Sequence, residues 1–411
     1  MADAQALITD QEQAAKGRRT ALLGSLFLMA TSAIGPGFIT QTGQFTYTMG
    51  AAFAFAILIS VLIDVAVQLN VWRVIGVSGR KAQELANSLI PGLGIFLAIL
   101  VALGGFVFNV GNVAGGGLGM NSMLGMDATT GGILTAVLAI GVFLSKRAGM
   151  ALDRIVVILG AIMILATLYV AAVSNPPVGD ALKNTVLPEQ VDFTVITTLV
   201  GGTVGGYITY AGAHRMLEAG IHGAEHVKDI SRSSVTGIII TGVMRFLLFL
   251  AILGVVATGV AMDTEKSIAA QAFGIAAGEI GIRIFGLILW GAAISSVIGA
   301  AFTSVSFVTS SKTSVTVKNA LTIGFIVIST VVFIIAGKAP STLLIVAGAV
   351  NGLILPLGFG VILFVATFRA KTLLDGYKYP IWLIVIGWAS WLLTIYLGFN
   401  SLSGIAKLWA G

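Results

Sequence analysis

Two ionisable side chains lie in apolar runs that offer them no water. Arg245 stands about eleven residues into a run that begins near position 234, roughly 16 Å along a helix at 1.5 Å per residue, and Asp64 stands inside another such run. A charge at that depth is expensive and marks either a functional site or an ion pair. Arg245 can neutralise the carboxylate of a bound solute, or that of Asp64. His214, Arg215 and Glu218 form a second group, with His214 and Glu218 four residues apart and so expected on one helical face. A histidine there relays protons or lines a polar vestibule. Glu279 and Arg283 repeat the four-residue spacing near a helix end and read as a structural pair. His222 and His226, in a polar loop, are too few for a metal site.

Backbone can do chemistry as well. Ala33-Ile34-Gly35-Pro36-Gly37-Phe38-Ile39 interrupts the first apolar run with a tripeptide that breaks helices, since proline removes a donor and each glycine costs about 1 kcal/mol. Broken backbone at membrane depth is tolerated only where it is buried in protein or lines a cavity, and transporters present such freed amides and carbonyls to a solute. A second break is expected at Gly201-Gly202-Thr203-Val204-Gly205-Gly206; glycine for close helix packing is the competing reading there.

The elements that must position these groups are membrane helices. Of 411 residues, 57% are hydrophobic and 10% charged, with a mean hydropathy of +1.01. About eleven spans follow, roughly at 20–47 (broken), 50–72, 92–124, 131–145, 154–174, 194–217 (broken), 234–260, 276–308, 319–337, 342–368 and 379–403. Seventeen of the 23 lysines and arginines fall on one side of this alternation and four on the other. That bias puts the amino terminus in the cytoplasm, in a plasma or inner membrane. It accounts for the net charge of +6 without nucleic acid. With no cysteine, disulfides and thiolate metal sites are excluded. The polar residues 1–19 read as a cytoplasmic tail without a cleavable signal. Interruptions in spans one and six suggest an inverted repeat of 20–174 and 194–368, with a last span at 379–403 appended.

Several stretches resemble the NRAMP family of proton-coupled divalent-metal transporters. The second span keeps the family's spacing from Gly50 through Gln68 to Gly79-Arg80. The third ends Gly115-Gly116-Gly117-Leu118-Gly119-Met120-Asn121, the eighth contains Ser295-Ser296, and the tenth reads Leu353-Ile354-Leu355-Pro356. The resemblance implies an all-α integral membrane protein of LeuT-like fold, a five-plus-five inverted repeat with helices 1 and 6 broken. It also places the family's metal-holding motifs. The first falls on Gly35-Pro36-Gly37-Phe38, where the family's Asp and Asn have become Gly35 and Phe38. The second falls on Gly205-Gly206-Tyr207-Ile208, where its methionine has become Gly205. The family's helix-ten glutamine falls on Gly348, and its acidic pair for proton release on Asn109 and Asn112.

The metal-holding side chains are therefore absent, and a transition metal needs carboxylate, imidazole, amide or sulfur ligands. Exchange of Asp, Met and Gln for glycine is expected to enlarge the cavity and uncover helix termini, which suit an anion. Gly35, Pro36, Gly37, Phe38, Gln41, Gly205, Gly206, Tyr207, Thr209 and Gly348 are the expected substrate contacts, with Thr40 beside them. Asp64, His214, Glu218 and Arg245 are expected to serve coupling or charge compensation. The expected cargo is a small organic solute bearing a carboxylate, such as an amino acid, a short acid or 5-oxoproline, carried by a monomer with no cofactor. A divalent-metal transporter with an altered site, and a membrane sensor that transports nothing, are the alternatives. Sodium coupling would draw on Thr40, Thr203, Ser295 and Ser296; proton coupling, on His214, Glu218 or Asp64. No nucleotide-binding or hydrolase motif suggests an enzyme.

Overall fold

The computed structural model describes Leu22 and residues 33–264, 266–309 and 312–410. Residues 1–21 and 23–32, which include the first half of span one, lie outside the described residues.

The chain leaves its first interruption at Gly35, whose extended backbone (φ −92°, ψ −172°) caps α1 (Pro36–Met49). Proline opens α1 well because its missing donor and fixed φ cost nothing at a first helical position. A sharp turn leads into α2 (Phe53–Ser78), which ends on left-handed Gly79. The short α3 (Ala82–Leu89) follows, then α4 (Leu93–Leu124), α5 (Ala128–Leu144), α6 (Lys146–Val173) and the short α7 (Val178–Val186). The sixth span is broken into α8 (Phe193–Thr203) and α9 (Ile208–Glu218). Next come α10 (Val227–Val256), α11 (Ile268–Val308), α12 (Val315–Ala336), α13 (Pro340–Phe368), α14 (Ala370–Leu373) and α15 (Ile381–Ala410).

No strand occurs among the described residues. Alternate helix ends carry most of the basic residues, so the bundle has one basic end, with Arg73, Lys81, Arg215 and Lys228, and one with fewer, Lys183, Lys266 and Lys338 among them. Asp127 and Asp192 cap α5 and α8 by accepting backbone N–H bonds of 2.8–3.1 Å, which fixes where those helices start. The eighth span differs from the sequence expectation. Its helix begins at Ile268 and turns at Gly278 (φ 68°, ψ −162°), so a separate apolar segment precedes the span.

With lipid outside, packing inside the bundle depends on close backbone approach. The glycine-rich end of α4 supplies it. A Cβ at Gly115 would stand 2.3 Å from the Cβ of Pro36, and one at Gly119 would stand 2.6 Å from the backbone nitrogen of Trp290. Thus α4 seats both the start of α1 and the middle of α11, and so holds the first break in place.

Candidate functional site

Four residues from four helices meet at one depth. Phe38 lies eleven residues from Met49 at the end of α1, and Asp64 eleven from Phe53 at the start of α2. Thr203 lies ten from Phe193 on α8, and Arg245 eleven from Val256 at the end of α10. At 1.5 Å per residue each is about 16 Å below the less basic end, half-way through a hydrocarbon layer of about 30 Å. All four are buried.

Arg245 is the centre of this group. Its guanidinium carbon sits 4.3 Å from the centroid of the Phe38 ring, a desolvated cation–π contact of about 2 kcal/mol. Its Nη1 donates to Thr203 Oγ1 at 3.2 Å. The Thr203 hydroxyl itself donates to Leu199 O at 2.9 Å, and the Asp64 carboxyl interacts with the Arg245 charge. Arg245 Nε and Nη2 and Asp64 Oδ1 are buried with no hydrogen-bond partner. Nε–H and one Nη2–H point the same way from the guanidinium, forming the edge that receives both oxygens of a carboxylate. Buried donors that belong to a cation are costly to leave unpaired. The centre of this protein therefore holds a buried guanidinium whose Nε–Nη2 edge makes no hydrogen bond.

The second break falls later than the sequence suggests. Gly201 and Gly202 are helical, and the helix stops at Thr203. Val204 N–H closes on Val200 O at 2.9 Å, and Ile208 N–H restarts the ladder on Gly205 O at 3.1 Å. Gly206 supplies the positive φ, 53°. Gly201 instead allows α8 to touch α13, since a Cβ there would be 1.9 Å from Gly348 O.

The glycines do not leave open space in this conformation, contrary to the enlarged cavity expected from sequence. A Cβ at Gly348 would lie 2.4 Å from Gln41 Nε2 and 2.8 Å from Thr198 O. Gln41 donates to Leu344 O at 3.3 Å, and its Oε1 is unpartnered. A Cβ at Gly205 would lie 2.5 Å from Gly201 O. A Cβ at Gly206 would lie 1.8 Å from Asn351 Oδ1, and this asparagine donates to Gly104 O at 3.0 Å and Ala347 O at 2.8 Å. Two amides, Gln41 and Asn351, thus occupy what a side chain at 348 or 206 would fill. Asn351 escaped the sequence reading, although a polar side chain three residues after Gly348 in an apolar run was a signal. At Gly37 a Cβ would make only ordinary contacts, at 3.6 Å from Gln41 Nε2 and 3.7 Å from Phe108.

Towards the basic end, Thr209 Oγ1 donates to Gln68 Oε1 at 2.7 Å, so that residue is bound to α2 across the second break. Tyr207 packs edge-on against Phe108, with centroids 5.9 Å apart. His214 is buried between Tyr210 and Phe307 with neither ring nitrogen bonded. Glu218 is exposed, so although His214 and Glu218 share one face of α9, that face passes from the core at His214 to the surface at the helix end. Asn109 donates to Ser329 Oγ at 3.4 Å, and Asn112 Nδ2 is buried without a partner. Thr40 Oγ1 and Ser296 Oγ are likewise unpartnered, whereas Ser295 bonds Ala292 O. Glu279 and Arg283 form the expected exposed pair. Among the described residues no three His, Cys, Asp or Glu side chains gather closely enough to hold a metal.

Comparison with known proteins agrees with this architecture. The family model described as natural resistance-associated macrophage protein-like, Nramp, matches residues 26–403. The uncharacterized membrane protein YcsG of Bacillus subtilis is 50% identical over 397 residues, covering 96% of this chain and 97% of its own. An uncharacterized membrane protein of Haemophilus influenzae is 49% identical over 372 residues, 90% of this chain and 93% of its own. Among solved structures, a mutant of the Eremococcus coleocola manganese transporter superposes with a TM-score of 0.73 at 16% identity, covering 94% of this chain and 87% of that one. MhsT in complex with L-phenylalanine superposes with a TM-score of 0.62 at 16% identity, covering 92% and 98%.

Proposed function

The chain belongs to the Nramp family and is a multi-pass membrane transporter, and from that premise we propose that it imports a small organic solute bearing a carboxylate. The observation that carries the proposal is the uncommitted Nε–Nη2 edge of Arg245, buried at mid-membrane beside the first break. A divalent cation placed there would meet a guanidinium where it needs a carboxylate. Across about 5 Å at an effective dielectric near 20, a 2+ ion and the Arg245 charge repel by roughly 7 kcal/mol before the opposing attraction of Asp64 is counted. An anionic group gains from the same charge, and the start of α1 adds the unpaired Gly37 and Phe38 amides that every helix start presents.

The fold itself serves both chemistries, since its solved relatives include a manganese transporter and a protein in complex with L-phenylalanine. The solute is an amino acid or short acid, 5-oxoproline among them. Phe38 and Tyr207 give the site an apolar side, while Gln41 and Thr209 offer polar contacts next to the two breaks. The halves 20–174 and 194–368 rock about this centre as inverted repeats, the protein acts as a monomer in the plasma membrane, and the charge bias supports a cytoplasmic amino terminus. The driving ion is the proton. Thr203, one hydroxyl that sodium would need, already faces the Arg245 cation at 3.2 Å.

Uptake by liposomes containing the purified chain tests the reading. Acetate, lactate, L-alanine, L-proline, L-phenylalanine, 5-oxo-L-proline, manganese and magnesium are compared under imposed proton or sodium gradients. Saturable uptake of at least one carboxylate, abolished by Arg245→Gln, is expected. Saturable manganese uptake with no carboxylate transported overturns it.

A further inference from the structure

Asp64 is awkward in an anion site. It is buried at the depth of Arg245, interacts with Arg245, and places a negative charge where cargo must bring its own. If Arg245 served only as a receptor, a neutral residue at position 64 would serve it better. If the pair were only structural, the direct two-pronged hydrogen bond that offsets desolvation would be formed. Neither applies. Among the described residues no hydrogen bond joins the two, Asp64 Oδ1 is unpartnered, and the side-on edge of Arg245 stays free.

Charge bookkeeping at the site explains the arrangement. Without cargo, Arg245 and Asp64 balance to zero. When a carboxylate takes the Arg245 edge, the site holds one cation and two anions, one of them without a counter-charge in a buried setting. An isolated buried carboxylate does not remain charged; it binds a proton. The loaded site then holds the Arg245 cation, the cargo anion and a neutral Asp64, and again sums to zero. Resting on the carboxylate reading above, we infer that Asp64 is the coupling residue: cargo displaces it from Arg245, it accepts one proton from the side the cargo entered, and it returns that proton where the cargo leaves. For a cargo without an ammonium group, the short acids and 5-oxoproline, one anion and one proton cross together, and no net charge moves in either half of the cycle.

The surroundings leave Asp64 to Arg245. Against α2, α1 brings only Tyr47, and α8 and α13 bring no titratable group. From α9 come Tyr210, His214, Arg215 and Glu218, all nearer the basic end, with Glu225 and His226 just beyond. Lys228, Asp229 and Arg232 of α10 lie at that same end. Asp180 and Lys183 of α7 lie at the opposite one, and α15 carries Tyr396 and Lys407. Of all these, the charge that acts on Asp64 is that of Arg245.

The test uses liposomes holding the full chain, an internal pH dye and a potassium–valinomycin voltage, with whichever of acetate, lactate and 5-oxo-L-proline, the panel's solutes of net charge −1, is transported. A one-unit pH step, acid outside, is expected to sustain about tenfold accumulation. A 100 mV potential is expected to leave that ratio unchanged, whereas one net charge per cycle would alter it about 50-fold. The dye is expected to report about one proton per solute. For Asp64→Asn the proton count per solute is expected to fall to about zero, and Asp64→Glu is expected to restore it. Should Asp64→Asn not fold, the wild-type voltage and proton counts decide alone. Carboxylate uptake that is voltage-driven, or that carries no proton, overturns the coupling role and leaves the transport reading standing. Proton counts that persist in a folded Asp64→Asn also overturn it. Manganese uptake with no carboxylate transported overturns both.

Discussion

Removing both charges at the centre costs less than the two single removals added together. Asp64 senses the Arg245 charge with no hydrogen bond joining the two, so their separation is taken on the order of 6 Å, beyond direct hydrogen-bond reach. At that distance and an effective dielectric near 20, the attraction is about 3 kcal/mol. Arg245→Gln forfeits it, leaves a buried carboxylate alone, and loses the contact with the Phe38 ring, worth about 2 kcal/mol. Asp64→Asn forfeits it and leaves a buried guanidinium alone. Each single variant is therefore expected to lose about 3–5 kcal/mol. The double variant is expected to lose about 3 kcal/mol less than their sum, because the shared term is lost once. Unfolding of the purified protein in detergent, followed by tryptophan fluorescence, reads the cycle, since the chain carries six tryptophans. The coupling is the discriminating feature: the double variant should melt close to Arg245→Gln rather than about 3 kcal/mol further below it. Additivity within about 0.5 kcal/mol would mean that the two groups do not sense each other, and the account of the site would fail.

Other perturbations test the packing around that centre. Gly348→Ala places a methyl against Gln41 and Thr198 O; it should destabilise by about 1–3 kcal/mol. Adding Gln41→Ala should recover part of that loss in the same melts, because one of the two clashes is then gone. Asp127 caps α5, and hydrogen bonds from Thr130 hold its carboxyl below the ordinary carboxylate range. A depressed group contributes stability above its unfolded-state value and loses it as pH falls through the lower folded one. Asp127→Ala should therefore melt earlier than wild type near neutral pH, and the difference should vanish in acid; a difference that persists there would assign the effect to something other than the charge.

The two breaks show how far sequence alone reached. Pro36 between two glycines cannot sit inside a helix, only at its start, so the first break was visible without structure. The second was displaced by a few residues because glycine has two uses: Gly206 turns the chain at positive φ, whereas Gly201 stays helical to touch α13. Composition does not distinguish them; the partner helix does. Arg245 stood out as a lone charge in an apolar run, but its contacts join positions 38, 64, 203 and 245, a convergence that no local pattern encodes. The same limit hid the filling of the glycine gaps. Whether an exchanged side chain leaves a cavity depends on what moves in, and here Gln41 and Asn351 do. His214 and Glu218 share the helical face their spacing implied, but that one is buried and the other exposed depends on where the helix end meets the surface, which spacing does not encode.

Competition by matched acid and amide pairs tests the carboxylate receptor most directly. Lactate and lactamide, or L-proline and L-prolinamide, differ little in shape but differ in the one group that Arg245 would hold. In liposomes taking up a labelled carboxylate, the unlabelled acid is expected to compete and its amide to fail by at least 100-fold, since losing a charged partner in a buried site is worth about 3 kcal/mol or more. Equal competition by acid and amide would contradict the assignment of Arg245 as the receptor for the cargo's charge.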